Sequence, residues 1–247
     1  MAELDACADA RQRVTFWLRD DDAVAVTTAL DRLLDLILQW DVPAVLAVIP
    51  MPAQPKLALR LGELGPVRVA PHGFAHRNHA GPEEKKQELG LHRPAATVLD
   101  EIWVGFDRLK GMFPDQTVPM LVPPWNRIAP DLLPRLPQLG LRYVSAFSNQ
   151  VPHEPVPGLT QIDCQLDVID WSKRRSHPPD MLAGRLAALV RQRKGASPPI
   201  GILSHHLVHD EAAWAFLADL FRLTARHQAV TWNWPVAELK PASSPAE

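Results

Sequence analysis

The chain has 247 residues, 47% hydrophobic and 22% charged, a globular composition with ample length for a large core. Its 26 Lys and Arg stand against 28 Asp and Glu, a formal net charge of -2, so nothing electrostatic favours nucleic acid or an anionic membrane as a partner. Two cysteines, Cys7 and Cys164, are too few for a disulfide framework or a cysteine-based zinc site. The chain starts "MAELDACADARQR", with acids where a secretion signal needs a basic region, and no apolar stretch approaches the roughly 20 residues that span a bilayer. A cytoplasmic location without membrane association is the expectation.

In chain order, "VTFWLR" (14–19) reads as a buried strand that runs into Asp20, Asp21 and Asp22. Leu30, Leu33, Leu34, Ile37 and Leu38 then recur at helical spacing. "PAVLAVIP" (43–50) is a second strand, a helix fits 55–64, and "VRVA" (67–70) is a third strand leading into "PHGFAHRNH". A helix over 95–111 precedes the strand "VPMLV" (118–122) and the loop "PPWNR". Further strands are expected near 142–146, 160–170, 199–203 and 229–231, with helices over 178–193 and 211–226. Such alternation implies a mainly parallel sheet. Seven or eight units in one domain imply a closed or distorted barrel; an open doubly wound sheet would carry a Gly-rich phosphate loop after the first strand, which is absent. One domain over 1–240 is expected, followed by a frayed tail over 241–247.

The polar clusters fall at the carboxyl ends of these strands, where α/β barrels assemble active sites. An acidic triplet before a helix has an ordinary explanation in capping, most naturally by Asp22. Two more carboxylates beside it repel one another unless a cation offsets them. His72 and His76, at i and i+4, can present two imidazoles to one point, with His79 a rival. Two histidines and one carboxylate leave open positions for water and substrate, as in catalytic zinc and facial-triad iron sites. After "IGILS", only one of His205 and His206 can face into a barrel, since neighbours on a strand point oppositely. The loop "PPWNR" places Trp125, Asn126 and Arg127 as candidates for lining a substrate pocket.

Together these pieces resemble the polysaccharide deacetylase family of carbohydrate esterases, family 4, which shares the NodB homology domain. The motif T-F-D-D-G aligns with Leu18-Arg19-Asp20-Asp21-Asp22, and H-[ST]-x-x-H with His72-Gly73-Phe74-Ala75-His76. R-x-P-Y falls on Val122-Pro123-Pro124-Trp125, D-x-x-D-W on Asp167-Val168-Ile169-Asp170-Trp171, and L-x-H on Leu203-Ser204-His205. The five motifs keep their order across residues 18–205, about three-quarters of the chain.

The resemblance implies a single-domain, distorted (β/α)7–8 barrel that deacetylates a small-molecule or oligosaccharide substrate. It implies a divalent metal held by Asp21, His72 and His76, with Zn2+ first and Co2+, Fe2+ or Ni2+ as alternatives. Asp20 would be the general base, His205 the general acid and Asp170 the carboxylate that tunes it. Trp125 would offer a backbone N–H to the oxyanion, and Trp171 and Leu203 would wall the acetyl pocket. Three points stay open. A shift of register by one would make Asp21 the base and Asp22 the ligand; His206 rivals His205; and the arginine of the third motif is Val122 here, so Arg19 or Arg127 would have to replace it. The competing readings are hydrolysis of another C–N bond on the same scaffold and a noncatalytic carbohydrate-binding barrel.

Overall fold

The computed structural model describes residues 1–62, 64–148, 155–192 and 198–235. β-Branched and aromatic residues make Val14–Ala23 the longest strand, β1, buried nearly throughout because both of its faces are covered. Its side chains alternate. Phe16 and Leu18 join the outer core beneath the helices, whereas Trp17 joins a second, inner core with Val45, Ala47, Ala70, Met120, Val122 and Leu203. On one edge β1 pairs in parallel with a strand at Ile200–Ser204; on the other it pairs with β2 (Ala44–Val48) and with a strand at Val230–Trp232. β3 (Val67–Pro71) extends the sheet beyond β2.

A second parallel group consists of β4 (Met120–Leu121), β5 (Tyr143–Val144) and β6 (Thr160–Gln161). Two isolated bridges, Val69 to Thr117 and His72 to Val122, join it to the β3 side of the first, and a third between Phe147 and Cys164 prolongs the β5–β6 pairing. From Cys164 the chain passes into β7 (Leu166–Asp167), which lies against the Ile200–Ser204 strand. A hairpin of β8 (Ile169–Asp170) and β9 (Arg175–Ser176) follows, so the Ile200–Ser204 strand is β10 and Val230–Trp232 is β11. The parallel strands and their helical cover match the sequence expectation, and the distortion is localised in the short strands β4 to β7. Gly201 on β10 is required by packing: a Cβ there would meet the Trp17 indole nitrogen at 2.6 Å and Cys164 Cα at 2.7 Å.

The helices are α1 (Ala2–Asp9), α2 (Thr28–Trp40), α3 (Pro55–Leu61), α4 (Ala95–Met112), α5 (Pro179–Gln192) and α6 (Glu211–Thr224). Leu30, Leu33, Leu34 and Ile37 of α2 are buried against the sheet, each contributing about 1.5–3 kcal/mol of burial. Leu38, expected on the same face, is 44% exposed. Thr27 caps α2, its Oγ1 accepting from the Leu30 N–H at 3.0 Å; Asp22 does not. Asp210 caps α6 through the Ala213 N–H at 2.9 Å.

Several elements escaped the sequence reading, α1 and a long 3-10 run chief among them. In α1 only Leu4 is buried, so no apolar periodicity marks it. A 3-10 run over Pro130–Leu139 contains Pro134 and Pro137, which remove the N–H groups an α-helix requires. Its Leu132, Leu133 and Leu136 pack with α4 residues such as Ile102 and Phe106. The anticipated strand over 160–170 is broken into β6, β7 and β8, and the tail over 241–247 lies outside the described residues. No described helix is long and apolar enough to cross a membrane.

Candidate active site at the carboxyl ends of the strands

Strand alternation separates the three aspartates. Arg19 and Asp21 follow Trp17 on the inner face of β1. There the Arg19 guanidinium binds Asp21 in two places, Nε to Oδ1 at 2.9 Å and Nη2 to Oδ2 at 3.0 Å. Arg19 is fully buried and also donates to Ser145 Oγ (2.7 Å), the Ala146 carbonyl (3.2 Å) and Asn126 Oδ1 (3.1 Å). Asp20 faces the other way. It accepts from Ser204 Oγ at 2.6 Å, from the His206 N–H at 2.9 Å and from His206 Nδ1. Burial works against its charge, yet His206 holds the carboxyl below the ordinary range.

At Asp22 the alternation breaks. The register of β1 against β2 shifts between Asp20 and Ala23, and Asp22 has φ +73°, a left-handed conformation that short polar residues tolerate. Asp22 thereby reaches the same mouth as Asp21. His72, one residue past β3, has its Nδ1 3.0 Å from the Val122 carbonyl; since that oxygen only accepts, Nδ1 carries the hydrogen and Nε2 faces Asp22 Oδ1 at 3.2 Å. His76 Nε2 lies 3.5 Å from the same oxygen, and its ring packs 4.4 Å from that of Trp125. The tight loop that returns His76 needs left-handed backbone at Gly73 (φ +59°) and His76 (φ +54°). Buried Glu88 ties it down by accepting from the Phe74 (3.1 Å), Ala75 (2.8 Å) and Arg77 (3.1 Å) N–H groups. A Cβ on Gly73 would overlap Glu88 Oε2 and the Pro124 ring.

Asp22, His72 and His76 thus offer three ligand atoms within 4.8 Å of one another. Asp22 Oδ1 is buried without a hydrogen-bond partner. Burial opposes its ionisation, but His72, His205 and His76 outweigh that and keep the carboxyl far below its usual range. An unpartnered anionic oxygen facing two imidazole nitrogens is a set of atoms that could hold a divalent metal. The structure therefore brings together both expected histidines but a different aspartate, Asp22 rather than Asp21. Strand alternation and the bulge are the reason.

Across the mouth, His205 on the rim of β10 points inward, with Nε2 3.8 Å from Asp21 Oδ2 and the Trp171 indole edge-on at 4.5 Å. His206 points outward to Asp20. Asp167 is a further carboxylate electrostatically linked to His205, and it accepts from the Ile169 N–H and from Trp171 Nε1, both at 2.9 Å. Burial raises the Asp167 carboxyl above the usual range, with His205 opposing. Asp170, expected in that place, instead bonds Ser172 and Lys173, which hold it down at about 2. It turns away because β8 and β9 form a hairpin whose turn takes up its side chain.

Trp125 sits in the left-handed region (φ +54°), Asn126 accepts from Arg19, and the Arg127 guanidinium donates to the Lys86 carbonyl at 3.0 Å. Leu203 is buried in the inner core and Trp171 stands 45% exposed at the opening. A cavity of about 670 Å3 has Asp21, Asp22, His72, His76 and His205 among its lining residues, with Trp125, Asn126, Arg127, Asp170 and Trp171 on its walls. Of the guanidiniums weighed from sequence, Arg19 meets Asp21 and Arg127 does not. Glu88 and Asp167 were missed: Glu88 stands alone in "KKQELG", whereas Asp167 was visible as the first acid of its motif.

No protein-family model matches the chain, and no curated protein matches it in sequence. Solved structures do. A Mycobacterium smegmatis protein assigned to the polysaccharide deacetylases superposes with TM-score 0.65 at 14% identity, over 90% of this chain and 87% of that one. A family 4 carbohydrate esterase from Streptomyces lividans, in complex with acetate, gives 0.57 at 15% identity, over 94% and 98%. Peptidoglycan deacetylase PdaC from Bacillus subtilis gives 0.58 at 17% identity, over 92% and 90%. The resemblance carried by five short motifs thus extends over nine-tenths of the chain as a shared fold. The chain folds as the NodB-type, family 4 carbohydrate esterases do.

Proposed function

We propose that the protein is a divalent-metal-dependent deacetylase acting on an acetylated carbohydrate. The observation that carries this reading is the meeting, at one mouth, of the Asp22–His72–His76 donor set with Asp21 and His205. A noncatalytic sugar-binding barrel needs neither a base nor an acid beside its ligand set. The exposed Trp171 indole and the Trp125 ring beside the site suit a sugar face better than a small non-sugar amide, which is the alternative substrate class.

In this reading Asp22, His72 and His76 hold the metal, Zn2+ first among the candidates. When bound, it supplies a Lewis acid that polarises the acetyl carbonyl and acidifies water. Asp21, one residue from the ligand Asp22, accepts the proton as water attacks. Arg19 orients its carboxylate and offsets its charge, taking the place of the third-motif arginine. The Trp125 backbone N–H is the proposed donor to the developing oxyanion. His205, against Trp171 and near Asp167, donates a proton to the leaving amine or alkoxide, so the tetrahedral species breaks forward. Asp20 is outside the chemistry and organises the strand ends.

The test compares metal content and acetate release for three carboxamide variants. Asp22→Asn loses stoichiometric metal and with it activity. Asp21→Asn keeps metal and loses about 10²–10⁴-fold in kcat, the range for removal of a general acid or base. Asp20→Asn keeps metal and far more activity than Asp21→Asn. Metal retained by Asp22→Asn, or full activity in Asp21→Asn, would sink the assignment.

A further inference from the structure

Each acidic side chain lining the cavity faces a basic or donor group of the chain. Asp21 is held by Arg19, Asp22 faces His72 and His76, Asp167 accepts from Trp171, and Asp170 is paired with Lys173. The cations lining it differ. Lys86, Arg127, Arg174 and Arg185 all line the cavity, and none forms an ion pair with an acidic group among the described residues. They come from separate elements. Lys86 and Arg127 share one wall, where the Arg127 guanidinium donates to the Lys86 carbonyl. Arg174 comes from the β8–β9 hairpin with φ +50°, and Arg185 from α5, where Nη1 lies 3.4 Å from His177 Nε2.

Four unpaired cations around one opening contrast with a chain whose formal net charge is -2. Such a field concentrates anions at the mouth and repels cations. Simple solvation of surface arginines would scatter them over the molecule. Here two converge from each side on the cavity holding the ligand set.

We propose that the substrate is an anionic saccharide, one carrying a carboxylate or phosphate besides its acetyl group, and that Lys86, Arg127, Arg174 and Arg185 select it. This deepens the deacetylase reading and rests on it. Guanidinium forks suit either oxyanion through paired N–H donors, and the anion would sit at the rim while the acetyl group enters toward Asp22.

The experiment uses N-acetylglucosamine, its 6-phosphate, and N-acetylmuramic acid as a carboxylate, each with the metal-loaded protein. Binding is measured by calorimetry and turnover by acetate release. At least one anionic probe is expected to bind about tenfold more tightly than the neutral sugar and to show a similar gain in kcat/KM. The advantage should shrink as salt rises from 50 to 500 mM, because the screening length shortens about threefold over that range. The Arg174→Ala/Arg185→Ala variant should bring the anionic-to-neutral ratio toward one, mainly through KM, whereas Arg174→Lys/Arg185→Lys should retain most of it. Equal binding of charged and neutral sugars, or a preference that survives the alanine pair, overturns the proposal. Selective, salt-sensitive binding without acetate release from any probe would support the anion site while counting against the deacetylase reading. Turnover without charge preference would do the reverse.

Discussion

Arg19 and Asp21 form a buried ion pair whose partners cannot be removed independently. Taking charges out of water is costly, and the mutual attraction offsets that cost only while both are present. Arg19→Met is therefore expected to destabilise the protein by about 3–5 kcal/mol, since it leaves the Asp21 carboxylate buried without its cation. Adding Asp21→Asn to Arg19→Met should recover much of the loss. Urea unfolding of the four proteins in the cycle checks this, and an additive double variant would refute the coupling. At this scale the sequence was legible where residue type and spacing were distinctive, as in His72 and His76, whereas His205 and His206 were left as rivals. It was ambiguous for Asp20, Asp21 and Asp22, because three identical residues carry no mark of register. The alternation that decided between His205 and His206 also applies to Asp20 and Asp21, but the local bulge that returns Asp22 to the mouth is written in backbone dihedrals and not in side-chain pattern. Asp170 and Asp167 are the same kind of case: two acids of one motif, sorted by a hairpin.

Elements were most readable where apolar residues repeat along a buried face. The α2 helix is such a case, and its one misplaced residue gives a sharp comparison. Leu34→Ala removes a fully buried side chain and should cost about 2–5 kcal/mol. Leu38→Ala, on the exposed side, should stay within about 0.5 kcal/mol. Thermal or urea denaturation of the two variants side by side separates them, and similar losses would mean that α2 packs differently. Where no such stripe exists the sequence is silent. The prolines of the run over 130–139 look like a loop, yet Leu132, Leu133 and Leu136 are fully buried. Glu88 illustrates the same limit for loops. Its role depends on three backbone N–H groups converging on it from residues 74, 75 and 77, a geometry no linear pattern encodes.

For the molecule as a whole, the strand–helix alternation was enough to define a parallel α/β architecture, and the placement of polar clusters at strand ends located the site. The course of the short strands β4 to β7 was less legible, because two-residue strands leave little periodicity. Stability as a function of pH is a property of the whole fold, and buried His209 contributes to it in a definite direction. Burial brings its imidazole down to about 4, so the unfolded chain binds a proton that the folded one refuses between the ordinary value near 6.5 and 4. Its contribution is present above pH 6.5 and is lost as pH falls toward 4. His206 acts oppositely: burial lowers it, but Asp20 raises it above the ordinary value, favouring the folded state on the acid side. The prediction is therefore differential. The urea midpoint of His209→Phe should fall less between pH 7 and 4.5 than that of the native protein, and parallel curves would refute it.

The pairing of Arg19 with Asp21 has one more consequence, for motion. The two residues are i and i+2 on one strand, about 6.6 Å apart along it, and that strand is hydrogen-bonded on both edges. Were the guanidinium carried on a loop, each opening of that loop to admit a sugar would part it from its carboxylate. Because it rides on the same strand, the guanidinium stays beside its carboxylate whatever the loop bearing Trp171 does. Substrate entry and readiness for proton transfer are thereby decoupled.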